Sequence, residues 1–178
     1  MTLIENRDSG RAHRGPPMEV KAFRVACGEF ISNSDLYAQE WEKAGFAAVP
    51  DGIRYRKGMF AVHATGTSMM PRIEDGDWCI FVPDLGGTRY DRVVLVEDRS
   101  KIGVERYTLK KYRSKIVRLK DGTWVHLEIT LWPLNASEHS PIHLNANGDY
   151  AIRGWFVYRV RQISRMEDYP YESVSEEM

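Results

Sequence analysis

From residue 52 onward the apolar positions come in short runs rather than at helical spacing. Residues 59–64, 78–82, 92–96, 104–112, 115–119, 129–134 and 151–161 are rich in Val, Ile, Tyr, Phe and Trp, side chains that suit a pleated, half-buried surface. Turn formers separate most of them: Asp75-Gly76-Asp77, Gly86-Gly87, Asp121-Gly122 and Asn147-Gly148-Asp149. Short strands at that spacing predict a mainly β domain of small twisted sheets rather than βαβ units. The chain before Gly52 reads differently. Residues 1–18 are polar, carry Gly10, Gly15 and Pro16-Pro17, and show no hydrophobic period, which predicts a mobile arm. Residues 23–31 form a short extended piece. One short helix is expected over 34–45, with Ser34 as its cap, Leu36, Trp41 and Ala44 on one side, and Gly45 at its end. The last stretch, 166–178, has five acids (Glu167, Asp168, Glu172, Glu176, Glu177) and no base, so it is expected to be a solvated, disordered tail.

Composition narrows the function classes. A chain of 178 residues can bury one sizeable core, and 43% hydrophobic with 28% charged residues is the make-up of an ordinary globular protein. Lys plus Arg and Asp plus Glu both number 25. No global field therefore draws the chain to nucleic acid or anionic lipid, and no strong autonomous DNA binding is expected. No basic stretch followed by an apolar one opens the chain, so no secretory signal is expected. Runs such as 78–82 fall far short of the ~20 residues of a membrane span, and no membrane partner is expected. Two cysteines, Cys27 and Cys79, are too few for a disulfide framework. A reducing cytoplasm fits them best.

Two features carry candidate chemistry. Gly66-Thr67-Ser68-Met69-Met70-Pro71 follows one predicted strand and precedes another. A serine at such a turn can project its Oγ clear of the sheet while neighbouring N–H groups face a developing oxyanion. By itself the motif does not separate a nucleophile from a polar turn residue. The second feature is Tyr107-Thr108-Leu109-Lys110-Lys111-Tyr112, a strand with two adjacent lysines. If one face is buried, one lysine must point inward. A solvated lysine, with pKa ~10.4, is neutral in about one molecule in 2,500 at pH 7. Service as a general base needs a pKa near ~7, a drop of roughly 3.4 units or about 4.6 kcal/mol, which full burial can supply. The competing role for paired lysines is to protect an exposed strand edge.

Taken in order, these blocks resemble the self-cleaving serine-lysine peptidase domain of the LexA/UmuD type. Val25-Ala26-Cys27-Gly28-Glu29 is similar to that family's scissile segment, in which a small residue precedes glycine. Gly66 to Pro71 with Asp75-Gly76-Asp77 resembles its nucleophile turn. Thr108-Leu109-Lys110 resembles its base strand, and the resemblance, not periodicity, selects Lys110 over Lys111. Leu134-Asn135-Ala136 through Ser140-Pro141-Ile142 is similar to the loop that follows, and Gly154-Trp155-Phe156-Val157 to the closing strand. The likeness covers about residues 22–161. Residues 98–104 and the tail after 161 are additional. With no repressor-like DNA-binding domain ahead of Cys27, the organisation is that of UmuD. The middle of the chain also resembles peptidase-like modules attached to helicases in bacterial defence systems.

The resemblance implies a cleavable arm (1–27), a peptidase domain (28–165) and the acidic tail (166–178). It implies Ser68 as nucleophile, Lys110 as general base, the backbone N–H groups of Ser68 and Thr67 as oxyanion donors, and Cys27-Gly28 as the cleavage site. No metal or organic cofactor is called for. The implied partners are a second copy of the chain, in a homodimer, and a RecA-type filament or another DNA-repair or defence protein, in an SOS-like response to DNA damage. Two alternatives stay open: a non-catalytic dimerisation or regulatory subunit for a polymerase, helicase or nuclease, and a peptidase acting in trans.

Other residues are read as bystanders. His139 and His143 have i, i+4 spacing, but Pro141 between them argues against a helix and so against a ligand pair. His63 and His126 lie on strand patterns as packing or surface residues. Cys79 sits in the apolar run Trp78-Cys79-Ile80-Phe81 and reads as a small buried hydrophobe. Cys27, without a neighbouring histidine, reads as the residue whose carbonyl is attacked. The basic stretch Arg106, Lys110, Lys111, Arg113, Lys115, Arg118 and Lys120 reads as a solvated face.

Overall fold

A computed structural model of the chain describes residues 15–27, 43–101, 106–145 and 147–166. Ten strands make up its regular structure: β1 (Pro17–Ala26), β2 (Lys43–Ala48), β3 (Phe60–Thr65), β4 (Trp78–Pro83), β5 (Val93–Asp98), β6 (Tyr107–Arg118), β7 (Trp124–Trp132), β8 (Ile142–Leu144), β9 (Tyr150–Val160) and β10 (Arg165–Met166). The fold is mainly β, as the runs of β-branched and aromatic residues predict. All ten strands join one open mixed sheet in the order β10-β2-β1-β3-β4-β9-β5-β6-β7-β8. The sheet curls until the end of β1 meets β6, where Ala26 lies parallel and opposite to Thr108.

Alternation along the strands feeds separate cores on the two faces. Val25 of β1 and Cys27 just beyond it, Phe60, Val62 and Ala64 of β3, Cys79 and Phe81 of β4, and Val93 and Leu95 of β5 all enter one cluster with Leu109. The residues between them face the other way. Met18, Val20, Ala61, Ile80 and Val82 build a second cluster with Ala47 and Met59. Val94 and Val96 join Tyr112, Ile129 and Leu131 in a third. Strands buried on both faces need apolar side chains at consecutive positions, which is why 93–96 reads Val-Val-Leu-Val. The buried carboxylate of Glu97 is held by Arg106 Nε at 2.7 Å and Arg153 Nε at 2.5 Å, so its charge is paired.

Several boundaries differ from the sequence pattern. Residues 34–42 of the expected helix lie outside the described residues, and its expected end is strand β2. Ala47 there is buried, and the strand is paired on both sides, by β1 and by β10. Pairing on both edges of β2 overrides the local helical spacing at 43–45. Residues 1–14 of the arm are outside the described set, but Pro17 and Met18 open β1, with Met18 opposite Ala47 and buried. The predicted runs 104–112 and 115–119 are one strand, because Arg113 and Ser114 continue the ladder opposite Thr130 and Ile129. Met166 belongs to β10; residues 167–178 of the tail lie outside the described set. Among the described residues no helix is long and apolar enough to cross a membrane.

Gly154 marks a close approach between β9 and its neighbours β4 and β3. A Cβ there would sit 2.8 Å from the Val82 carbonyl oxygen and 2.9 Å from the Phe60 ring. Gly154→Ala should therefore destabilise the fold by about 1–3 kcal/mol, read as a lower urea midpoint. An unchanged midpoint would mean that β4 and β9 are not packed this closely.

Candidate active site

The turn after β3 is built so that Ser68 cannot drift. Met69 and Ile73 are buried in the central core and anchor it from below. Asp75 Oδ1 accepts the Gly66 N–H at 2.7 Å and the Thr65 hydroxyl at 3.1 Å, closing the loop on itself. Asp77, fully buried, accepts the Glu74 N–H at 2.8 Å and pairs with Arg159 at 2.8 Å and Arg161 at 2.9 Å, which ties the turn to β9. From the other side, the N–H groups of Leu134 and Asn135 donate to the Ser68 carbonyl at 2.8 and 2.9 Å. With its carbonyl so fixed, Ser68 keeps its own N–H and Oγ directed elsewhere.

Both meet partners. Lys110 Nζ lies 2.8 Å from Ser68 Oγ, and Ser68 and Lys110 are both buried, the lysine to 1% exposure. The ammonium also reaches Thr108 Oγ1 at 3.3 Å and the Leu109 carbonyl at 3.2 Å. Burial pushes the Lys110 pKa down from 10.5 to about 8, a small rise from the nearby Cys27 thiol notwithstanding. Lys111, one residue on, turns the opposite way, with Nζ 3.9 Å from Asp91 near the surface.

The Ser68 N–H donates to the Cys27 carbonyl oxygen at 2.5 Å, while the Cys27 N–H donates to the Thr65 carbonyl at 2.5 Å. The end of β1 is thus drawn against the serine as a further β pairing, continuing Ala26 opposite Thr65. Gly66 permits the approach. A Cβ at that position would lie 2.9 Å from the Cys27 oxygen and 3.2 Å from its carbonyl carbon, and φ of +95° is a conformation that glycine adopts without strain. The Cys27 side chain is buried in the central core, and burial raises its thiol pKa to about 12, so the sulfur stays protonated. Gly28 lies outside the described residues.

Of the residues singled out in the sequence, Ser68, Lys110 and Cys27 therefore converge. The Ser68 N–H is the backbone group that meets the Cys27 carbonyl oxygen. Thr67 takes part through its hydroxyl, 2.9 Å from His139 Nε2. His139, which the sequence reads as no metal ligand, lies between Asn135 and Pro141 in the loop beside the Ser68 turn. His143 has other neighbours, Glu128 Oε1 at 3.2 Å and Thr130.

A buried lysine against a serine, with a backbone N–H aimed at a carbonyl, is a combination that serves acyl transfer, and the mainly β scaffold around it is that of a serine peptidase. The Peptidase S24-like family model matches residues 22–157, and the chain belongs to that family. Among the curated proteins no sequence matches it.

The lysine should leave a mark on stability. Its proton departs at about pH 8 in the folded chain and near 10.5 in the unfolded one. Between these values the unfolded chain holds more protons, so stability rises with pH across that window; below pH 8 the fold carries the whole cost, roughly 3 kcal/mol. Lys110→Met, similar in length but without charge, should raise the stability at neutral pH by roughly 1–3 kcal/mol, read as a higher urea midpoint. It should also remove the rise in stability above pH 8. A variant that is no more stable and keeps the pH slope would show that Lys110 is not the desolvated group.

Proposed function

We propose that the chain is a serine endopeptidase that cuts itself between Cys27 and Gly28 with a Ser68-Lys110 dyad. The observation that carries the reading is the Cys27 carbonyl held on the Ser68 N–H while Lys110 Nζ stands 2.8 Å from Ser68 Oγ. Neutral Lys110 takes the Ser68 proton as Oγ bonds to the Cys27 carbonyl carbon, and the carbonyl electron pair moves onto the oxygen that the Ser68 N–H stabilises. Collapse breaks the bond to Gly28, whose nitrogen leaves with the proton from Lys110. Water then gives a proton to Lys110 and attacks the acyl carbon; the ester bond breaks, and Ser68 Oγ recovers its proton. One water is consumed, yielding a Cys27 carboxylate and a Gly28 amine. Because β1 is already seated, little translational or rotational freedom remains to be lost on the way to attack.

The setting is part of the proposal and rests on the family likeness alone. The protein works in the cytoplasm as a homodimer, and cleavage is prompted by a RecA-type filament or another DNA-repair or defence protein after DNA damage.

The purified chain, incubated from about pH 6 to about pH 10 and weighed intact, should yield fragments 1–27 and 28–178 with Gly28 as the new N-terminus. Its rate should rise about tenfold per pH unit until Lys110 is mostly neutral, then level off above about pH 8. Ser68→Ala, Lys110→Ala and Lys110→Arg should each be inactive, since a guanidinium keeps its proton, while Lys111→Ala should cleave at nearly the parent rate. An active Lys110→Arg would overturn the dyad. A chain that stays intact at every pH, with or without a RecA-type filament, would favour a non-catalytic subunit of the same fold.

Gly66→Ala tests the docking of the carbonyl apart from the dyad. The added Cβ should push Cys27 off the Ser68 N–H and slow cleavage by about 100-fold. The strain should cost only about 1–3 kcal/mol of stability. Parent-rate cleavage in a folded Gly66→Ala would mean that the Cys27 carbonyl does not react from this position.

A further inference from the structure

We infer that the severed arm is not released: after cleavage, β1 remains in the sheet as a separate strand, and the slot between β2 and β3 is a binding site for an extended peptide that ends in a small residue. The inference builds on the proposed cut at Cys27-Gly28. Every ladder contact of β1 lies on the N-terminal side of that bond. Pro17, Met18, Glu19 and Lys21 pair antiparallel with β2, opposite Ala48, Ala47, Phe46 and Lys43. Glu19, Val20, Arg24, Val25 and Ala26 pair in parallel with β3. Between Val20 and Arg24 β1 advances four positions while β3 advances two, from Ala61 to His63, so the strand bulges by two residues and keeps its alternation. The final partners are Thr65 and Thr108, both opposite Ala26. Hydrolysis one residue beyond breaks none of these bonds.

The strand is also a core element on both faces. Met18 and Val20 lie in one apolar cluster and Val25 and Cys27 in the other, none more than 1% exposed. Its position in the strand order adds a second hold. β10 pairs with β2, and β2 reaches the rest of the sheet through β1. Departure of β1 would open two unpaired edges and detach β2 and β10 along with it. The new Cys27 carboxylate would rest where the carbonyl now does, accepting the Ser68 N–H beside the Lys110 ammonium. Each chain therefore occupies its own site with its product, and one turnover is all that it performs until the strand is exchanged.

The test separates retention from cleavage. The full chain is incubated at alkaline pH until a denaturing gel shows the cut, then passed through gel filtration in native buffer and weighed by native mass spectrometry. Residues 1–27 and 28–178 should elute together at equal amounts, with the mass of the intact chain plus one water. In parallel, a Ser68→Ala chain carrying a foreign protease sequence inserted between Gly28 and Ser34 is nicked from outside, so that retention is read whether or not the chain cuts itself. Fragments that separate in native buffer would overturn the inference; a chain that fails to cut itself yet holds the nicked strand would overturn only the self-cleavage. Truncating Met18 and Val20 to Ala together should speed loss of the arm from the nicked chain by more than about tenfold; no change would show that the strand is not what holds it.

Discussion

A lysine ammonium kept out of water is the constraint around which the rest of the molecule is arranged. Left in solvent, Lys110 would hold its proton at neutral pH and have nothing to offer the serine. Bringing its pKa to about 8 requires a wall on every side. β6 supplies the residue, β5 covers its stem with Val94 directly across the ladder, and the Ser68 turn closes over its head. A buried cation without enough partners would be costly, and Thr108 Oγ1, the Leu109 carbonyl and Ser68 Oγ supply acceptors without adding an anion that would raise the pKa again. The acids nearest the turn, Asp75 and Asp77, are engaged elsewhere, the first by the Gly66 N–H and the second by Arg159 and Arg161.

The same scaffold explains how a carbonyl from the chain's own N-terminal side reaches the serine. A lone peptide would have to be ordered before it could be attacked, whereas β1 is ordered by the sheet itself. Parallel pairing with β3 aims β1 at the turn that β3 leads into, so the strand's end and Ser68 arrive at the same edge. Gly66 then removes the one side chain that would stand between them.

Much of this was readable in the residues, and the unreadable parts have physical causes. The nucleophile turn and the Thr-Leu-Lys strand are local patterns, so the sequence displays them. Alternation alone could not decide between Lys110 and Lys111, because which face is buried depends on what packs there; the Ser68 turn packed against Lys110, and Asp91 beside Lys111 nearer the surface, settle the side. The end of the helix expected over 34–45 is strand at 43–45, because that strand character comes from partners distant in sequence, β1 and Arg165–Met166. His139 was dismissed as half of a weak metal pattern when its actual partner, Thr67, lies 72 positions away. Contacts made across the fold, rather than along the chain, are the ones that the sequence hides.

Docking and activation are also coupled. Cys27 is fully buried and lies close enough to Lys110 for each to shift the other's titration. It is therefore part of the wall that keeps water from the ammonium. Should the end of β1 leave the Ser68 N–H, water would enter beside Lys110, and desolvation, the cause of its lowered pKa, would weaken. In the proposed reaction, a base that is neutral only while the end of β1 is seated would be inactive when the site stands open. In the proposed setting, a partner protein that favours the seated end would thereby favour the neutral lysine as well.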